Sequence, residues 1–223
     1  MTKIIILSAK QFIKKKIYFM NMALFSELYK IQKNDLKKAV NVLANAFSKE
    51  LMWKEIFNDE EKNIILTEVM VRFCLKYGSV LSISDNLEGI MAIAPYDKEM
   101  TFWRIIRSGA FFLSLKISNE AKKMEVLSSA VEEAKKSLNL QPYIHLLIMG
   151  VSQEFQGKGF GGKLLRALIE KSETEKKPIY LETQKEENVN FYSKFGFVVK
   201  KKIILPEPLN LPMWLMLRDV KKL

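Results

Sequence analysis

The stretch QGKGFGGK, Gln156 to Lys163, decides how the chain must fold. Three phosphate-binding patterns overlap in it. Gly157, Gly159 and Gly162 spell G-x-G-x-x-G, a dinucleotide fingerprint. Gly157 to Lys163 spells G-x-x-x-x-G-K, most of a triphosphate loop. Gln156 to Gly161 spells Q-x-x-G-x-G, a third pyrophosphate pattern. All three use one physical device. A strand delivers the chain to a glycine turn, a helix N-terminus follows, and open backbone N–H groups meet phosphate oxygens. A polyphosphate ligand is therefore implied before any particular cofactor is.

The flanking residues separate the three. A triphosphate loop needs Ser or Thr after its Gly-Lys pair, to hold Mg²⁺. Leu164 stands there, and no later buried strand ends in an Asp suited to the metal. The dinucleotide reading has the apolar strand YIHLLIMGV before the loop. It also has Glu182 at the end of PIYLET, twenty residues after Gly162, where a ribose-binding acid sits. Against it, the connection from Val151 to Gln156 is long for a tight first turn. Only about sixty residues follow Gly162, too few for the rest of a doubly wound sheet.

The third pattern has support outside the loop. From Leu147 onward, LIMGVSQEFQGKGFGGKLL, PIYLET and NVNFYSKFGF resemble the GNAT superfamily of N-acetyltransferases in order and separation. The resemblance is specific over residues 143–200 and architectural over 22–142. It implies an α+β fold, with a mixed central sheet splayed at the cofactor site and helices on both faces. It implies an enzyme that moves the acetyl group of acetyl-CoA (coenzyme A as carrier) to a primary amine by direct transfer in a ternary complex, with no metal. The backbone from Gln156 through Gly157, Lys158, Gly159, Phe160, Gly161 and Gly162 would hold the pyrophosphate. Met149 and Val151 would bond the pantetheine arm, and Asn188 would contact the cofactor, with Asn190 a further contact. Tyr192 would be the general acid that protonates the leaving thiolate.

The general base is less determined. Some members of the superfamily carry a Glu eleven residues before the loop; His145 stands at that position here. An imidazole titrates near neutral pH and can accept the amine proton directly or through water. Glu182 on the next strand is a second candidate. Against both stands a plain structural role, or deprotonation through a water chain. Two readings from other classes remain: a catalytically silent CoA-binding module and a basic nucleic-acid-associated protein.

The rest of the chain sets bounds. Its 223 residues suit one domain with an elaboration. One Cys and one His exclude an intrachain disulfide and argue against a Cys/His zinc site. Cys74 reads as a buried core thiol. The formal charge is +11, but residues 1–21 hold five Lys and no acid, so without them it is about +6. That weakens a nucleic-acid reading. Residues 1–21 read as a dispensable basic extension, without a signal-peptide core or cleavage site. No stretch is apolar for long enough to span a membrane. The expected compartment is the cytoplasm; monomer and homodimer both stay open. The acceptor, a small molecule or a peptide amine, cannot be read.

The expected elements run as follows. MALFSELYKI forms a first strand, NDLKKAVNVLANAFS and DEEKNIILTEVMVRFCLKYG form helices, and SVLSIS with LEGIMAIAP forms a hairpin. Residues 99–138 carry two helical patterns that form an insertion over one face. In it, Trp103, Phe111 and Phe112 either line a pocket or pack in the core. YIHLLIMGV reads as a strand buried on both faces. PIYLET follows the loop's helix as another buried strand, then EENVNFYSKFGF as a short helix. VVKKKIIL and PMWLMLRDV close the sheet.

Overall fold

The computed structural model describes residues 24–221 except Lys49. The N-terminal extension, residues 1–21, lies outside the described residues. In chain order the elements are β1 (Tyr29–Lys30), α1 (Leu36–Phe47), α2 (Leu51–Phe57), α3 (Glu60–Tyr77), β2 (Ser79–Ser82) and β3 (Gly89–Pro95). Then come α4 (Phe102–Arg107), α5 (Phe111–Lys116), α6 (Ala121–Lys136) and β4 (Ile144–Val151). The rest are α7 (Phe160–Glu175), β5 (Ile179–Thr183), α8 (Glu186–Ser193), β6 (Val198–Ile204) and β7 (Pro212–Arg218).

The strands form one seven-stranded sheet in the order β1-β2-β3-β4-β5-β7-β6. The β4–β5 pair is parallel and its neighbours are antiparallel. That is a mixed sheet, not the doubly wound parallel sheet a dinucleotide fold requires. The two central strands pair only at Ile144–Ile179 and His145–Tyr180, and beyond His145 they part.

A bulge in β4 sets what each side chain faces. The β3–β4 register passes from Ala92–Ile148 to Ile93–Leu146, so Leu147 is an extra residue. One extra residue sends every later side chain to the opposite face. Ile144 and Leu146 pack with Leu164, Leu165 and Leu168 of α7. After the bulge, Ile148 packs instead with Val40 and Leu43 of α1 and Phe73 of α3. Gly150 lies so close to α1 that a Cβ there would come within 2.8 Å of the Ala46 methyl.

Three sequence expectations need correction. The first strand covers only Tyr29 and Lys30, because Phe25 and Leu28 are satisfied by packing onto the α7-side core without joining the sheet. The insertion holds three α-helices rather than two: its first pattern breaks at Ser108–Ala110, where Gly109 has φ +78°. A short helix, α2, also precedes α3. Strand β4 is not closed on both faces: Ile144, Leu146, Ile148 and Gly150 are buried, while His145, Leu147, Met149 and Val151 are only partly covered. Those four open onto a cavity.

The other helices form where local signals place them. Helix α3 starts at Asp59, whose carboxylate accepts the N–H groups of Glu61 and Lys62 at 2.9 and 3.4 Å. That is an N-cap, and Glu60 and Glu61 suit the positive end of the helix. Cys74 on α3 is fully buried, and burial pushes its thiol up to about 12. Among the described residues no helix is long and apolar enough to cross a membrane.

Candidate active site

The cavity measures about 910 Å³ and follows the splay between β4 and β5. One end is the glycine loop; the other is walled by α2, α3 and α6.

At the loop end the backbone amides are open. Gly157 and Gly159 have φ of +75° and +84°, which favours glycine at both. A 3-10 turn over Gln153–Phe155 uses the N–H groups of Phe155 and Gln156 internally. Gly159 caps α7 without a side chain, and the first intrahelical bond runs from Lys163 N–H to the Gly159 carbonyl at 3.0 Å. Phe160, Gly161 and Gly162 therefore hold the orphan N–H groups of a helix start. With the helix dipole behind them, they fit an anionic phosphate group. The Gln156 amide donates to the Val151 carbonyl at 3.1 Å and ties the loop to the strand.

Strand β4 supplies further open amides. Ser152 N–H donates to the Glu88 carbonyl at 2.9 Å, and hydrogen-bonded pairs alternate along an antiparallel ladder. Ile90–Gly150 and Ala92–Ile148 are then the bonded pairs, whereas Gly89–Val151 and Met91–Met149 turn their N–H groups away from β3. Those of Met149 and Val151 face the gap that β5 has left.

Tyr192 and Asn188, both on α8, line the same cavity. Tyr192 is half-buried. Burial pushes its phenol up, and the nearby Glu50 carboxylate adds to the rise, so it stays protonated at neutral pH. Asn188 donates to the Thr183 hydroxyl at 3.1 Å. Deeper along β4, His145 Nε2 lies 2.8 Å from Glu182 Oε2. The β4–β5 register makes this pairing: the two strands are in contact at His145–Tyr180, and Glu182 lies two residues further along the same face of β5. Burial raises the Glu182 carboxyl, but attraction to His145 and the bond between them, with smaller help from Tyr180, outweigh it and hold the carboxyl below its usual range. The rings of Tyr143 and Tyr180 flank His145 at 6.2 and 5.3 Å.

The structure brings most of the expected residues to this cavity. His145, Met149, Val151, Gln156, Gly157, Gly159, Phe160, Gly161, Gly162, Glu182, Asn188 and Tyr192 all line it. Lys158 does not; its ammonium sits 5.2 Å over the Phe155 ring. Asn190 is exposed and outside the lining. Trp103 and Phe112 neither line the cavity nor join the core, being 66% and 78% exposed. Sequence reading missed Phe155, Glu50 and Lys185, all lining residues. Glu50 pairs with Lys185 at 2.8 Å, across 135 positions of sequence, and no local signal foretells such a pair. Among the described residues, no group of three or more His, Cys, Asp or Glu is placed to hold a metal ion.

Residues 125–199, from α6 through the loop and α8 to the start of β6, match the family model of the acetyltransferase (GNAT) domain. The chain carries a GNAT acetyltransferase domain. It is 25% identical over 209 residues to an uncharacterized N-acetyltransferase of Schizosaccharomyces pombe, covering 85% of this chain and 82% of that protein. A solved arylalkylamine N-acetyltransferase 7 (putative by its description) from the mosquito Aedes aegypti superposes with a TM-score of 0.62 at 14% identity, over 87% of each chain. A Corynebacterium glutamicum structure described as histone acetyltransferase HPA2 and related acetyltransferase gives 0.56 at 16%, over 88% of this chain and 97% of that one. The two structures share the fold of this chain. Domain match and relative together make the protein an acyltransferase enzyme.

Proposed function

We propose that the protein transfers the acetyl group of acetyl-CoA directly to a primary amine, both substrates being bound together. The observation that carries this reading is the single cavity joining open loop amides, a protonated phenol and a His–Glu pair. Acetyl-CoA supplies the activated acyl group as a thioester. The loop amides of Gly157 and Gly159 to Gly162 hold its pyrophosphate at the start of α7. The N–H groups of Met149 and Val151 hold the cofactor's arm and offer donors to the carbonyl oxygen as negative charge grows there. Asn188 steadies the cofactor from the α8 side.

The acceptor must lose a proton to become nucleophilic. His145 is placed to take it, with Glu182 fixing the ring and offsetting the positive charge that forms. Tyr192 gives its proton to the departing sulfur; burial and the nearby Glu50 carboxylate keep the phenol protonated, so that it carries a proton to donate when the thiolate leaves. The helices of the insertion, residues 99–138, wall the acceptor side through α6.

The test is a screen of amines with acetyl-CoA, followed by CoA release. Turnover with at least one amine is expected. Acetyl-CoA binding without turnover of any amine, in a protein retaining Tyr192, would reduce the chain to a CoA-binding module.

A further inference from the structure

We infer that the acceptor is an apolar monoamine, a primary amine on an alkyl or aromatic tail with no second charge; this rests on the acyl-transfer reading above. The acceptor end of the cavity is walled by Met52 and Trp53 of α2, Met70 of α3, and Met124, Leu127 and Val131 of α6. Positions 124, 127 and 131 recur at helical spacing, so one face of α6 is turned to the cavity. Methionine side chains are flexible and polarizable, and they mould to apolar groups of varied shape.

The charges of the lining narrow the class further. Among the described lining residues, the charged groups are Glu50, Lys185 and Glu182, with His145 beside them. Glu50 is bonded to Lys185 and Glu182 to His145, each at 2.8 Å. No carboxylate is spare for the second ammonium of a polyamine. No cation is spare for the carboxylate of an amino acid. Carrying an unpaired charge against such walls costs its hydration without replacement. One amine facing His145, with an apolar tail among the methionines, leaves no charge unpaired.

The experiment compares kcat/KM for butylamine, pentylamine, hexylamine and 2-phenylethylamine with spermidine and glycylglycine, on the full chain with saturating acetyl-CoA. Each methylene buried should raise the value about fourfold. 2-Phenylethylamine should exceed spermidine and glycylglycine by about tenfold or more. Ser128→Asp adds a carboxylate at an exposed position of the lining, where folding is not at risk. It should shift preference from hexylamine toward 1,6-diaminohexane by about three- to fivefold. A flat or falling alkyl series, or faster turnover of spermidine or glycylglycine, overturns the inference. If acetyl-CoA still raises the melting temperature of the same preparation, the acyl-transfer reading survives that result. If acetyl-CoA neither stabilises the protein nor supports turnover, both fall.

Discussion

The two halves of the cavity are built in opposite ways. On the proposed function, the donor half is drawn from two short stretches, Met149 to Gly162 and Thr183 to Tyr192, and would work largely through backbone. Its amides are open because the β4 ladder alternates, β5 departs after His145, and a helix begins at Phe160. The half proposed for the acceptor is side chains alone, gathered from α2, α3 and α6. A backbone device needs particular residues at particular spacings, so it leaves a motif. A side-chain wall needs only apolar surface, so it leaves none. The difference predicts that donor-side changes alter cofactor affinity or the chemical step, while acceptor-side changes redistribute substrates.

The largest expected effect is on the chemical step. On the proposed mechanism Tyr192→Phe removes the proton donor and little else; kcat should fall about 10²-fold or more, with acetyl-CoA affinity nearly unchanged. Unaltered turnover with a good amine would leave Tyr192 a packing residue and break the donor half in two. Next comes the base. His145→Ala should lower kcat/KM about tenfold or more and change the shape of the pH–rate profile. A profile of the same shape at lower height would return His145 to a structural role.

Glu182 allows a separate test through stability. Its folded-state carboxyl lies below the usual range. The stability it contributes is therefore fully present above the unfolded carboxylate pKa, near 4.3, and is lost as pH falls through the lower folded value. Glu182→Gln should cost about 1–3 kcal/mol at neutral pH. The gap between the two melting curves should narrow as pH falls below about 4. A gap independent of pH would mean that the pairing with His145 is not what holds the carboxyl low.

Loop substitutions follow in size. Gly159→Ala places a Cβ in open space but at φ +84°, so the strain falls on the loop's conformation rather than on packing. Forcing an alanine there costs about 1–2 kcal/mol, which should weaken acetyl-CoA about tenfold in a binding titration. The smallest effect is expected at Lys158, whose ammonium rests on Phe155 outside the lining. Lys158→Ala should change affinity by about twofold or less, as a solvated lysine would. A loss comparable to that of Gly159→Ala would show that the loop relies on side-chain charge as well as amides.

The same contrast explains what was legible in the sequence. Gln156, the glycines of the loop, Asn188 and Tyr192 stood out in the sequence because each position, on the proposed function, has a chemical requirement that few residues meet, and they line one cavity. The succession of strands along the chain from β2 onward followed from alternation and turn residues, but the place of β7 between β5 and β6 in the sheet did not. Met52, Trp53, Met70 and Met124 announced nothing, because an apolar residue on a helix reads the same whether it faces core or cavity. The apolar run of β4 misled for a related reason. Composition does not distinguish a covered face from one lining a cavity, and the Leu147 bulge, which reverses the faces midway, has no signature of its own. His145 and Glu182 were separate candidates for one role; only the register of β4 against β5 makes them a pair.

The most direct test of the central claim is a melting curve in increasing acetyl-CoA, with NAD and ATP in parallel. A ligand bound only by the native state stabilises it by about 2.7 kcal/mol at a hundred times its dissociation constant. The account predicts a concentration-dependent rise with acetyl-CoA, diminished in Gly159→Ala and retained in Tyr192→Phe. Stabilisation by NAD or ATP without any by acetyl-CoA would contradict it.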